Sequence, residues 1–303
     1  MPRMPLATRI LGRTGLEASI LGFGAEPLGR TGRSFDDAAK TLNAVLDMGI
    51  TLIDTASSYG HSEAFIGRAI AHRKNEFIIV TKCGWNNDWS PAWSPPELKR
   101  AIDQSLKHLR VDVLDVLLLH GCPLEDVKRG ESTAIIQQAQ KQGKVGFIGY
   151  SGDNEALTFA VDTGIYDLIE CSFSMLDQAN AAAIERAIEH NIGVIIKRPI
   201  ANAIPGRSEK PRSEYAAQYW PRWQAFHRAL HPGSIKGSID WLDTAIRFSA
   251  FWPGVSSVLV GSSHADHMQA NAQALVNGPL PSPTRAALLQ AYSKVGTEWP
   301  GLG

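Results

Sequence analysis

A repeat constrains this chain more than any other feature. Runs that are apolar throughout begin near residues 20, 51, 77, 113, 145, 167, 193 and 257, and each is followed by a segment with apolar residues at helical spacing. Strands that are apolar at every position, rather than at alternate ones, belong to parallel sheets covered on both faces. The helical segments carry their own punctuation. Ser34 precedes a segment with Ala39, Leu42, Val45 and Leu46 on one face and Gly49 as its stop. Ser94 and Pro95 open another in which Leu98, Ala101, Ile102, Leu106 and Leu109 recur every three or four residues. Further helices are expected over 63–71, 133–141, 154–163, 179–190, 239–250, 265–275 and 283–295. Eight strand–helix units joined by right-handed crossovers close into a (β/α)8 TIM barrel. A doubly wound open sheet is the runner-up, but no G-x-G-x-x-G fingerprint follows the first strand.

Two shorter runs, Thr8 to Leu11 and Leu16 to Ile20, flank Gly12-Arg13-Thr14-Gly15 and predict an N-terminal β-hairpin. The spacing between the last two strands is too long for one unit, which predicts an insertion over about 200–238 with helices of its own. The final helix is a further addition at the C-terminus. No obvious linker divides the 303 residues, so the chain is read as one domain, residues 1-303.

Lysine plus arginine equals aspartate plus glutamate, 30 against 30, which gives no electrostatic reason to expect nucleic acid or an anionic membrane as partner. Cys83, Cys122 and Cys171 lie far apart without metal-ligand spacing, so reduced packing cysteines are expected rather than a disulfide framework or a metal. No apolar run reaches the ~20 residues of a membrane helix, and the first residues lack the apolar core of a signal peptide. A cytoplasmic protein is expected, a monomer by default, acting on a small molecule.

In a barrel the carboxyl ends of the strands converge on one mouth. Asp54 ends the second strand with Tyr59 just beyond it, Lys82 ends the third and His120 the fourth. Burying such groups costs several kcal/mol unless they pair, so Lys82 is expected to pair with Asp54 and to accept Tyr59 as a hydrogen-bonding neighbour. A nearby ammonium favours a phenolate and is expected to lower the Tyr59 pKa. His120 can hydrogen-bond a substrate oxygen beside the phenol. The set suits delivering a proton to a carbonyl oxygen as hydride reaches its carbon, or the reverse.

The stretches Leu11-Gly12-Arg13-Thr14-Gly15-Leu16, Asp54-Thr55-Ala56-Ser57-Ser58-Tyr59-Gly60, Val80-Thr81-Lys82, Asp115-Val116-Leu117-Leu118-Leu119-His120 and Ile148-Gly149-Tyr150-Ser151 together resemble the aldo-keto reductase superfamily, in order from about Arg9 to Leu275. The resemblance implies a (β/α)8 barrel that binds NADPH, less often NADH, with Tyr59 as general acid, Asp54 and Lys82 as its tuning pair, and His120 orienting substrate. It implies that Ser151 holds the nicotinamide carboxamide. Gly152 stands where the family usually has asparagine, and Glu170 where it usually has glutamine. In place of the usual stacking aromatic are Lys197, Arg198 and Pro199, whose stems can cover the ring or whose charges can meet the pyrophosphate. Gly261, Ser262, Ser263, His267 and Asn271 match the adenosine-phosphate segment, but the cations that usually grip a 2′-phosphate are absent. NADP is therefore expected only slightly ahead of NAD.

Trp85 and Trp89 are expected to wall the substrate pocket, and Glu26 to lie at its rim unless it is a solvated loop carboxylate. The insertion is rich in Arg, Lys, Trp and Tyr; it reads equally as a surface excursion or as a flap over the pyrophosphate. Two alternatives to an oxidoreductase are a nicotinamide-binding regulatory barrel with little turnover and a lyase that uses Lys82 as a Schiff base. The complete Asp54, Tyr59, Lys82, His120 set disfavours both.

Overall fold

A computed structural model describes residues 5–29, 32–231 and 239–302. A two-stranded antiparallel hairpin, β1 (Thr8–Ile10) and β2 (Glu17–Ser19), comes first. Eight parallel strands then close into a barrel: β3 (Leu21–Gly24), β4 (Leu52–Asp54), β5 (Ile78–Cys83), β6 (Leu114–His120), β7 (Val145–Ser151), β8 (Leu168–Ser172), β9 (Gly193–Lys197) and β10 (Ser257–Gly261). They pair in chain order, and β10 closes on β3 with Val258 opposite Leu21. This is the predicted (β/α)8 barrel.

The local signals explain the helices. Ser34 Oγ accepts the Asp37 amide and starts the helix Phe35–Asp47. Glu97 Oε2 accepts both the Ser94 amide and the Ser94 hydroxyl, so a capping box opens Pro95–Leu109. The helix expected from Ile239 begins at Trp241, where Asp240 Oδ1 accepts the amides of Leu242 and Asp243. Among the described residues no helix is long and apolar enough to cross a membrane.

Two apolar layers follow from strand geometry. Successive side chains on a strand point to opposite faces. The outward ones pack beneath the helices. The inward ones, including Leu52, Val80, Val116, Leu118, Leu168, Ile195 and Leu259, fill the barrel together with Leu11 and Ala18 from the hairpin. The hairpin therefore plugs the amino-terminal end. Gly12 makes this possible: its φ is +52°, and a Cβ there would lie 2.2 Å from the Gly193 nitrogen. Arg13 fastens the plug through Asp167 at 3.0 Å and the carbonyls of Gly164 and Tyr166.

The insertion is not a surface excursion. It carries helices Glu214–Ala217 and Trp220–Ala229, and Tyr219, Arg222, Trp223 and Phe226 are buried. Trp223 packs edge-on to Trp241, with ring centroids 4.9 Å apart, and the Arg222 guanidinium sits 5.2 Å from the Trp299 ring of the C-terminal segment. The part of the insertion over 232–238 lies outside the described residues. The three cysteines are free and buried, as expected of packing residues.

Leu11 is fully buried at the sealed end of the barrel. Leu11→Ala is expected to cost about 2–5 kcal/mol, read as a lower denaturation midpoint with an unchanged slope. Loss of less than about 1 kcal/mol would show that the hairpin does not plug the barrel.

Candidate active site

The site is the next inward layer of each strand. Two residues beyond Leu52, Val80, Leu118, Leu168 and Ile195, on the same face, stand Asp54, Lys82, His120, Glu170 and Lys197. Each strand thus changes from apolar to ionisable within one period, and the change occurs at the carboxyl-terminal mouth.

Lys82 is the centre of this layer. Its side chain is fully buried, and its Nζ lies 2.5 Å from Asp54 Oδ2, 3.2 Å from Glu170 Oε2 and 3.1 Å from the Thr55 carbonyl. The contact to Glu170 is an ion pair by distance without hydrogen-bond alignment, since Glu170 Oε2 has no hydrogen-bond partner among the described residues. The other oxygen, Glu170 Oε1, accepts the Ser151 hydroxyl at 3.0 Å. Two carboxylates therefore share one ammonium. Burial works against the Lys82 charge, but the attraction of Asp54 and then Glu170 outweighs it and raises the lysine pKa. Burial and the repulsion of Glu170 push Asp54 up, with Lys82 pulling the other way.

Tyr59 is presented by a loop that is pinned at several points. The amides of Thr55 and Ser57 donate to the carbonyls of Val80 and Lys82, and the Tyr59 amide donates to the Ala56 carbonyl. Gly60, at φ +57°, packs so tightly that a Cβ would lie 2.4 Å from the Gly29 carbonyl oxygen. Lys82 Nζ is 5.5 Å from the Tyr59 ring centroid. No Nζ–Oη hydrogen bond joins them among the described residues, contrary to the sequence expectation. The expected lowering of the phenol pKa is also corrected. Burial raises it, and the opposing pull of Lys82 is the smaller effect. Tyr59 is held protonated.

His120 stands edge-on to Tyr59, with ring centroids 5.6 Å apart. Burial, then the charges of Lys82, Lys197 and Arg198, push its pKa well below the usual imidazole value. It is neutral near pH 7, and its Nδ1 is buried without a hydrogen-bond partner among the described residues. The loop after β5 covers this side. Trp85 Nε1 donates to the His120 carbonyl, and Trp89 lies 6.2 Å from Tyr59 and 5.8 Å from His120. Trp89 is 53% exposed and its φ is +61°, an unfavourable conformation for a bulky residue. Glu26 lies in the helix Glu26–Gly29, and its charge adds a small contribution to the raised Tyr59 pKa.

The residues matched to a cofactor lie on the opposite side. Gly152 is dictated by packing, since a Cβ would lie 2.6 Å from the Tyr150 ring. Lys197 pairs with Asp153 at 3.0 Å. Arg198, at φ +58°, donates to Ser172 Oγ, to Tyr215 Oη and to the Leu302 carbonyl. The Pro199 carbonyl accepts Ser249 Oγ. Both cations expected at a ring or a pyrophosphate thus have protein partners. After Gly261, Ser262 Oγ accepts the His264 amide at 3.0 Å and lies 3.2 Å from His267 Nδ1, at the start of the helix Ala265–Val276. The Asn271 side chain donates to the His267 carbonyl, and the Ser263 carbonyl accepts from Thr41.

A polar network in the same mouth is not foreseen from the sequence. Asp153 Oδ1 accepts the Ser172 amide and Asn180 Nδ2. The segment 300–302 is laced into it. The Asn154 amide side chain both donates to and accepts from Gly301, Asp177 accepts the Leu302 amide, and Arg222 donates to the Pro300 carbonyl. A faint signal exists in Asp177-Gln178-Ala179-Asn180, a polar cluster just after an apolar strand.

The aldo/keto reductase family profile matches residues 20–291. L-galactose dehydrogenase of Arabidopsis thaliana is 29% identical over 284 residues, covering 88% of this chain and 87% of that protein. D-threo-aldose 1-dehydrogenase of a Pseudomonas species is 27% identical, covering 86% and 90%. The fold is similar to that of the solved Bacillus halodurans aldo-keto reductase in its holo form, with a TM-score of 0.81, 24% identity, and coverage of 94% of this chain and 96% of that one. A buried lysine between carboxylates, a protonated tyrosine and a neutral histidine thus meet at the mouth of a barrel whose sequence the family profile matches almost throughout: the chain belongs to the aldo/keto reductase family of NAD(P)H-dependent oxidoreductases acting on carbonyl–alcohol pairs.

Proposed function

We propose that Tyr59 is the general acid and base of this oxidoreductase. The observation that carries the reading is the fully buried Lys82, held 2.5 Å from Asp54 and directly beneath a phenol that burial keeps protonated. In reduction the carbonyl oxygen gains the Tyr59 proton as its carbon gains hydride, two electrons and one proton, which a bound reduced nicotinamide would supply. Lys82 stabilises the phenolate left behind, and Asp54 holds Lys82 charged and oriented. Neutral His120 donates to the same oxygen and fixes its direction. In oxidation the phenolate takes the hydroxyl proton.

The fit for a nicotinamide cofactor rests on the donor set at the mouth. Ser151 Oγ, which donates to Glu170 Oε1, would accept from the carboxamide NH2, as would Glu170, whose Oε2 makes no hydrogen bond among the described residues and lies 3.2 Å from Lys82 Nζ. When bound, the cofactor supplies or accepts the hydride. Lys197, Arg198 and Pro199 would hold it on one side, the amides at the start of the helix after Gly261 suit a phosphate, and Asn271 would contact adenine. Only Ser262, Ser263 and His267 are available for a 2′-phosphate. We expect NADP to be preferred to NAD by less than about tenfold, measured as the ratio of kcat/KM with one aldehyde; a strong NADH preference would contradict this.

Glu26, Trp85 and Trp89 form the substrate side. Trp89, exposed beside Tyr59 and His120, fits the C–H face of a cyclic aldose, and both sequence relatives described above are named for aldose oxidation. Aldoses are therefore the substrate class favoured among aldehydes, ketones and sugars.

Tyr59→Phe is expected to lower turnover at least about a hundredfold while cofactor affinity stays within about twofold. Turnover near the wild-type value would sink the mechanism. The pH profile carries a second test. A raised phenol pKa keeps the acid protonated, so carbonyl reduction is expected to remain level through alkaline pH past the ordinary phenol value of about 10. Alcohol oxidation, which needs the phenolate, is expected to rise with pH over the same range. A fall in reduction centred near pH 7–8 would identify another group as the acid.

A further inference from the structure

The proposed carboxamide contact makes no use of the charge on Glu170. Glu170 is 3% exposed, on the inward face of β8 one period above Leu168. One oxygen is held by Ser151; the other is 3.2 Å from Lys82 Nζ and makes no hydrogen bond among the described residues. A neutral side chain of the same shape would satisfy Ser151 equally well. The carboxylate therefore brings one thing that an amide would not, a negative charge in a site shielded from water.

Lys82 neutralises that charge only in part. Asp54 already holds the ammonium at 2.5 Å, so Glu170 is the second anion on one cation. The repulsion appears in both neighbours: Glu170 raises the pKa of Asp54 and contributes to the raised pKa of Tyr59. Its field therefore reaches the phenol, and with it any ring lying against the reacting carbon. The two redox states of a nicotinamide ring differ by one positive charge, which the oxidised ring carries. In a medium poorer in water than bulk, a fixed charge discriminates between them.

Building on the proposed nicotinamide site, we propose that Glu170 is the residue that makes this enzyme bind the oxidised cofactor in preference to the reduced one, by supplying the counter-charge to the cationic ring. It is a positioning and redox-tuning residue. By linkage, tighter binding of the oxidised form lowers the potential of the bound couple.

The test is cofactor binding rather than turnover. Dissociation constants for NADP+ and NADPH, and for NAD+ and NADH in parallel, are measured by tryptophan fluorescence on the full chain and on Glu170→Gln. The expected result is about a tenfold loss for the oxidised form with the reduced form within twofold, equivalent to about 30 mV for a two-electron couple. Equal loss for both forms would overturn the inference and leave Glu170 an ordinary hydrogen-bonding contact. Absence of binding by the wild-type chain would instead overturn the nicotinamide reading itself. If Glu170→Gln does not fold, the wild-type chain decides. NADP+ should exceed its ringless fragment, 2′-phospho-ADP-ribose, in affinity by at least tenfold, with a smaller gain for NADPH. A gain for NADPH as large as for NADP+ overturns the inference.

Discussion

The contact between Lys82 and its two carboxylates is the constraint on which the site depends. An ammonium that is fully buried costs several kcal/mol even after relaxation, and removal of one partner typically costs 3–5 kcal/mol more. The position is tolerable only because β4, β5 and β8 each deliver their residue to the same level of a closed barrel. Below that level the interior is filled by Val80, Leu118, Leu168 and Ile195, so the ionic layer has an apolar floor. Water can reach it only from the mouth, where the reacting molecules would arrive.

This arrangement divides the mouth electrostatically. The carboxylate-rich side lies under Tyr59, the cations Lys197 and Arg198 stand at the end of β9, and the aromatic wall of Trp85 and Trp89 comes from the loop after β5. Burial pushes both groups towards their neutral forms, and the cations add to it at His120 while Lys82 opposes it at Tyr59, which is why the one pKa falls and the other rises. A protonated phenol beside a neutral imidazole gives two donors to one oxygen without a second positive charge to repel an oxidised ring.

The barrel is legible in the sequence because its signals are local. Apolar runs, the Ser34 and Ser94 caps and the hairpin glycines act within a few residues. The tetrad is legible for a related reason: Asp54, Lys82 and His120 are each the first ionisable residue to end a buried run. The same two-residue step from Leu168 to Glu170 and from Ile195 to Lys197 carries the rest of the ionic layer. What is not legible depends on contacts far along the chain. The sign of the Tyr59 shift follows from how deeply several loops bury it, and no local pattern reports that. The network that ties Asn154, Asp177 and Arg222 to residues 300–302 joins segments more than a hundred residues apart in two of its three links. The insertion reads equally as a surface excursion or a flap because the partners of its aromatic residues lie elsewhere in the chain, yet Tyr219, Trp223 and Phe226 are buried.

Backbone conformation supplies the last step. Arg198, Ala201, Asn202 and Ala203 all have positive φ, between +45° and +58°. Only asparagine tolerates this readily, and each of the others costs on the order of 1–2 kcal/mol. Such strain persists only where the surroundings over-determine it. Here they do: the Arg198 guanidinium donates to two side chains and one carbonyl, Ser249 holds the Pro199 carbonyl, and short turns close from Ala201 to Arg198 and from Ala203 to Ile200. Trp89 repeats the pattern across the mouth, strained in a loop fixed by the Asn86–Ser90 and Trp85–Pro91 contacts. Strain on both rims, over a rigid ionic floor, describes a site whose charges and aromatic faces are set before anything binds. A site that discriminates one charge on an incoming ring requires this, because a carboxylate free to turn towards water would lose the difference.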